Sequence, residues 1–247
     1  MEEEKQKNTT EKAITVFLII GLIFAIFNQF QLLSLKSGNR LPTGMTIAEA
    51  SIVPAGIPSV YGAELEIRYD DISPNDQKLA DKTIDVLANY DRTLTLSGEN
   101  LERYIDIASQ ISCEYCCGAQ SIIIRREDVQ DMDKKIEAAI ASGQITKEQA
   151  ERYRKNAGDA ACGCAHSYAM RGLAKYLITE HGSEFTNDEI LEEMAKWKSL
   201  FFPGQMTAKA QALNERGITF SYANLGSNTY RGIEKGASAG SNMVGGC

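Results

Sequence analysis

The sequence predicts a mainly α-helical protein: one N-terminal transmembrane helix, then a small helical domain with one or two short strands. Three observations predict it. Residues 13–35 carry no charge. From residue 75 onward, apolar residues recur at the three-and-four spacing of a helix face. Two Thr-x-x-Gln/Glu segments, "TKEQ" and "TNDE", mark helix starts.

The anchor comes first. "AITVFLIIGLIFAIF" runs from Ala13 to Phe27, and the uncharged stretch continues to Leu35, giving 23 residues between Lys12 and Lys36. About 20 residues of helix cross a bilayer, so the lipid bilayer is the expected partner of residues 13–35. Asn28, Gln29 and Gln31 would sit at the headgroups or against a protein partner in the membrane. A cleaved signal peptide is the rival reading, weakened because no small-x-small site follows closely. Lys5, Lys7 and Lys12 precede the span and only Lys36 and Arg40 closely follow it. That bias puts residues 1–12 in the cytoplasm and the C-terminal domain outside it, on the cell membrane.

Residues 36–62 hold three of the five prolines and read as a stalk or irregular linker. Residues 63–216 form the expected helical domain. It opens with "AELEIRY" as a candidate strand, followed by a helix with Leu79, Thr83, Val86, Leu87 and Tyr90 on one face. Ser97 can cap a second helix striped with Leu101, Tyr104, Ile105, Ala108 and Ile111. "SIIIRR" is a short β-prone run. The charged segments "DMDKKIEAAIASG" and "KEQAERYRKNAG" read as a solvated helical excursion. His166, Met170, Leu173 and Leu177 share one face of the next helix, which ends at His181-Gly182. "TNDE" opens a helix carrying Ile190, Met194, Trp197 and Phe201, which Pro203 stops. Residues 217–247 are Gly-, Ser- and Asn-rich and read as a flexible tail.

Five of the six cysteines and one of the two histidines fall in two knots, "CEYCCG" and "ACGCAH", with 44 residues between Cys117 and Cys162. Cys113 and Cys116 have C-x-x-C spacing, which lets two sulfurs reach one ion from a tight turn. Cys162, Cys164 and His166 alternate, and His166 begins a helix whose positive N-terminal end favours thiolate. Cys113, Cys116, Cys162 and Cys164 are the expected ligands, with His166 a fifth candidate. Cys117, adjacent to Cys116, reads as a buried apolar-like thiol or a ligand to a second ion. Zinc is the first choice for such a Cys/His set and copper the second. Two alternatives use the same residues: disulfides between the knots, and a redox thiol pair.

Other features narrow the function. The net charge of −7 and the absence of a basic patch argue against nucleic acid. His166 and His181 lie on one helix with no hydroxyl nucleophile in register, and no Gly-rich phosphate loop is visible. No catalytic or cofactor-binding set is therefore identified. Met170, Trp197, Phe201 and Phe202 read as core, and Cys247 as a tail thiol.

Cys162-Gly163-Cys164, followed by His and then helices, resembles the core of bacterial PCYCGC-motif lipoproteins. That resemblance implies a surface-anchored, metal-binding protein. The motif's Pro-Cys-Tyr is replaced here by Asp159-Ala160-Ala161, and the lipobox cysteine is absent. The paired "CEYCCG" and "CGCAH" segments also resemble a group of single-anchor archaeal membrane proteins over residues 60–205, a resemblance that implies no activity. The resulting expectation is a membrane-anchored, extracytoplasmic metal-binding protein. Its rivals are a zinc-stabilised module facing the cytoplasm and a membrane-tethered thiol–disulfide oxidoreductase.

Overall fold

The computed structural model describes residues 52–235 and 243–246. The expected span at 13–35 lies outside these residues, as do the bilayer contact and membrane placement that rest on it. Among the described residues the chain is mainly helical, with eight α-helices and almost no strand. They are α1 (Gln77–Thr93), α2 (Gly98–Ala108), α3 (Arg126–Ala141), α4 (Lys147–Ala150), α5 (Ala165–Glu180), α6 (Asn187–Phe201), α7 (Pro203–Glu215) and α8 (Tyr222–Gly226).

This corrects the expected fold class in two respects. No described helix is long and apolar enough to cross a membrane. The longest, α1, has 17 residues and is amphipathic, with Lys78, Asp81, Lys82 and Asp85 along it. The second correction concerns strands. "AELEIRY" does not extend: Leu65 N–H donates to the Tyr61 carbonyl and Ile67 N–H to that of Gly62, closing turns that bury Tyr61, Ile67 and Tyr69. "SIIIRR" contributes only an isolated antiparallel bridge, Ile123 to Ala160.

The centre of the fold is α5. Eleven of its 16 residues are buried, including Met170, Leu173 and Leu177, and each fully buried large apolar side chain contributes roughly 1.5–3 kcal/mol. It packs most closely on α1. Gly172 makes this possible, since a Cβ there would stand 1.9 Å from the Leu87 carbonyl oxygen. The face α1 buries is Ala80, Thr83, Ile84, Leu87 and Ala88. It is rotated slightly from the expected one, leaving Leu79 exposed.

Local chemistry starts the other helices. At α4, Gln149 N–H donates to Thr146 Oγ1 (3.2 Å) and Thr146 N–H to Gln149 Oε1 (2.8 Å). At α6, Glu189 N–H and Thr186 Oγ1 form the same reciprocal box with Glu189 Oε2 and Thr186 N–H. Ser97 precedes α2 without a side-chain cap bond. Pro203 ends α6 and also opens α7, where its fixed φ suits the first helical position. Helices α3 and α4 form the expected excursion, with Ile136 and Ala150 their only buried residues. Beyond Gly217, where a flexible tail is expected, Ser221 caps α8 through Asn224 N–H (3.0 Å), and Gly226 packs against Ala195 of α6.

The Gly172 contact makes a prediction. Gly172→Ala should destabilise the fold by about 1–3 kcal/mol, the usual cost of overpacking, measured as a lower denaturant midpoint. An unchanged midpoint would mean that α1 and α5 are not held this closely.

Candidate metal centre

Backbone pairing brings the two knots together. Cys116 and Cys117 N–H both donate to the Cys113 carbonyl (3.3 and 3.2 Å), so the first knot is one tight turn. Positions three and four residues on from the first then share its side. Ile122 N–H donates back to the Ile111 carbonyl at 3.0 Å. Residues 122–124 then pair with 158–161: Ile124 N–H to Asp159 O (2.7 Å), Gly158 N–H to Ile124 O (2.9 Å) and Ala161 N–H to Ile122 O (3.2 Å). This pairing closes the α3–α4 excursion and sets Cys162 beside the first knot.

Arg171 pins the junction from below. Its Nη1 donates to the carbonyls of Ile122 (3.2 Å) and Cys162 (2.8 Å) and to Ser167 Oγ (3.1 Å). Its Nε donates to Asp91 on α1 at 2.8 Å. Lys175 reaches the same carboxylate at 2.8 Å. The charge is thus paired within the protein, as a buried charge must be, although Nη2, 2.7 Å from Asp91, makes no hydrogen bond of its own.

The sulfurs converge as a result. Cys113 Sγ lies 3.2 Å from Cys164 Sγ, which lies 3.4 Å from Cys162 Sγ. Cys117 and Cys162 are joined by a disulfide across a separation of 45 residues, a closure that contributes roughly 4 kcal/mol in the chain-entropy account. Two overlapping groups have all their donor atoms within 4.8 Å of one another: Cys113, Cys117, Cys162 and Cys164, and Cys113, Cys116, Cys164 and His166. The cluster could hold a metal ion. Its partition differs from the expected one, because Cys117 and not Cys116 joins the all-sulfur group. Cys117 is also exposed, not buried. The turn explains both points, since position 117 is one residue further round, toward the second knot and the surface. Cys116 is not a free thiol either, whereas Cys113 and Cys164 are.

The surroundings of Cys164 favour its thiolate form. This cysteine is the N-cap of α5, and its Sγ accepts the Ser167 N–H at 3.4 Å. The Cys113 thiol beside it, the His166 ring and this N–H together lower its pKa well below the ordinary thiol range. Cys113 is pushed the other way, by its bond to Cys164 and by burial. His166 is fully buried between Phe201 and Phe202 (ring centroids 4.8 and 5.0 Å). Its Nε2 donates to the Val244 carbonyl at 2.8 Å.

A second ring of residues carries no sulfur. Lys198 and Lys209 are completely buried, and both donate to Glu114 Oε1 (3.0 and 3.4 Å), with Arg231 on the other oxygen at 3.5 Å. Three cations thus surround one carboxylate, next to Cys113 in sequence. Burial lowers the Lys198 pKa to about 8. Burial alone would raise that of Glu114, but Lys198 and Lys209 outweigh it and hold it below the usual range. Sequence reasoning missed Lys198, Lys209, Glu114 and Arg171. The available signals were Lys198 on the apolar stripe of α6, one turn beyond Met194, and Arg171 beside a mid-helix glycine on an otherwise apolar helix. His181 plays no part here; it pairs with Glu184 and Glu64 at the end of α5.

No family model, no curated protein and no solved structure matches this chain. Its function is therefore argued from the site's own chemistry.

Arg171→Met should cost about 3 kcal/mol, the lower end for breaking a buried pair, because Lys175 remains on Asp91. It should also speed alkylation of Cys113 and Cys162 in the reduced chain. Arg154→Ala, which removes surface ion pairs to Asp133, Glu137 and Glu151, should leave the denaturant midpoint almost unchanged. Equal effects in urea titrations of the two variants would contradict the anchoring role.

Proposed function

We propose that the protein, with its cysteines reduced, binds one soft metal ion through Cys113, Cys117, Cys162 and Cys164. The carrying observation is that these four sulfur donors lie within 4.8 Å of one another, although they come from two segments far apart in sequence. A tetrahedral thiolate shell at Zn–S lengths separates its sulfurs by roughly 3.8 Å, close to the Cys113–Cys164 and Cys162–Cys164 spacings of 3.2 and 3.4 Å. Zinc suits such a shell best, and copper(I) is the second choice.

The surroundings support an anionic centre. The chain is acidic overall, with a net charge of −7. Yet among the described residues the fully buried charged side chains are all basic: Arg171, Lys198 and Lys209. Positive charge nearby favours thiolate, as Lys198 does at Cys113, and thiolate is the form that ligates. Four protein sulfurs would leave no open coordination position, which favours holding the ion over catalysis. His166, tied to Val244 and packed between two phenylalanines, supports Cys164 in this reading.

The Cys117–Cys162 disulfide, with the reduced Cys164 sulfur 3.4 Å from Cys162, favours a second reading as a thiol–disulfide exchange protein. Steady turnover of a disulfide substrate, abolished by Cys117→Ser, would support that reading instead.

The reduced full-length chain should take up about one zinc ion, and chelation should lower its melting temperature, because an ion bound only by the folded state stabilises it. Cys162→Ser should abolish uptake, whereas His166→Ala should retain partial occupancy. Uptake should weaken as pH falls, because protons compete for the thiolates. Elemental analysis that finds neither zinc nor copper on the reduced chain would refute the proposal.

A further inference from the structure

We propose that the ion is released by oxidation, with Cys117 and Cys162 as the paired ligands that switch between metal binding and a disulfide. This inference rests on the metal reading above and adds the control of that same site. The structure places both chemistries on the same atoms. Cys117 and Cys162 are two of the four converging sulfurs, and they are also the pair joined by a disulfide. A metal ligand must be a thiolate, and a sulfur within a disulfide is not one. The two arrangements exclude each other.

Exposure assigns the order of events. Cys113, Cys162 and Cys164 are buried, whereas Cys117 is exposed. An oxidant in solution therefore meets Cys117 first. With a peroxide, the Cys117 thiolate attacks one oxygen, the O–O bond breaks, and the departing hydroxide takes a proton from solvent to become water. Cys117 is left as a sulfenic acid. The Cys162 thiolate then attacks Cys117 Sγ, the S–O bond breaks, and a second hydroxide leaves and is protonated to water. Two electrons pass from the sulfur pair to the peroxide, and the ion loses two of its four ligands. The reverse step needs a dithiol. One of its thiolates attacks the exposed Cys117 sulfur, Cys162 leaves as thiolate, and the second thiol resolves the mixed disulfide, so that the dithiol departs as its own disulfide.

The fold tolerates the exchange because each state carries its own cross-link between the knots: the ion when reduced, the disulfide when oxidised. The backbone pairing of 122–124 with 158–161 and the Arg171 anchor hold the two segments adjacent. Cys113 and Cys164 lie on the buried side, where the oxidant does not reach them first. The reduced, metal-free chain alone lacks both cross-links and should melt lowest of the three forms.

The test uses the full-length reduced chain loaded with zinc and titrated with hydrogen peroxide. Released zinc is read with a chromogenic chelator, and cysteine pairing is read by peptide mass spectrometry. Bound zinc should fall at least about tenfold, with one Cys117–Cys162 cross-link formed per ion released. Dithiothreitol followed by zinc should restore binding. Zinc retained after the cross-link has formed would overturn the proposal. So would release accompanied by a different pairing, or by sulfinic acids alone. Failure of the underlying metal reading shows separately, at the loading step, as a reduced chain that takes up no ion before any oxidant is added.

Discussion

Arg171 sits where little water reaches its guanidinium, so its charge must be met by protein atoms. Those atoms are the Asp91 carboxylate on α1, the Ile122 and Cys162 carbonyls on the two knots, and Ser167 on its own helix. Meeting that requirement fixes three things together. Helix α1 is held against α5, where Gly172 lets the backbones approach. The run 122–124 is held beside 158–161. The second knot is held at the N-terminus of α5, so that Cys164 caps the helix. The site is a consequence of one buried charge finding its partners.

The distribution of charge follows a similar logic. A chain with 33 acidic and 26 basic residues would be expected to bury neither sign in preference. Here the buried Arg171, Lys198 and Lys209 bond to residues of the two knots, the Cys162 carbonyl and Glu114, and the two carboxylates that meet them, Glu114 and Asp91, are each shared by more than one cation. An excess of buried positive charge is tolerable only beside compensating anions. A thiolate at Cys164, whose pKa the site lowers, would supply one, and a thiolate-bound ion would supply more. The same surround favours thiolate whether the sulfurs hold an ion or exchange electrons.

Much of the fold was readable in the sequence, and the limits have physical reasons. The capping boxes at Thr146 and Thr186 involve only neighbours, so their residues were enough to reveal them. The apolar stripe of α5 was readable because Met170, Leu173 and Leu177 are buried in register. "AELEIRY" misled because alternation is a weak signal over seven residues, and tertiary burial of Tyr61 and Tyr69 decided its turns. Helix α7 was missed because Pro203 was read as a stop, and a proline at that position serves both as stop and start. The gathering of cysteines was visible as spacing. Which neighbour, Cys116 or Cys117, faces the second knot depends on the rotation of a single turn, and spacing does not encode that. Lys198 and Lys209 were unreadable as site residues because their partner, Glu114, is 84 and 95 positions away.

The proposed centre has four cysteine sulfurs around one ion. X-ray absorption at the zinc edge of the reduced, zinc-loaded full-length protein tests it most directly. The spectrum should show a single shell of four sulfurs at about 2.3 Å, with no nitrogen at the shorter imidazole distance of about 2.0 Å. A shell dominated by nitrogen or oxygen, or one with no more than two sulfurs, would contradict it.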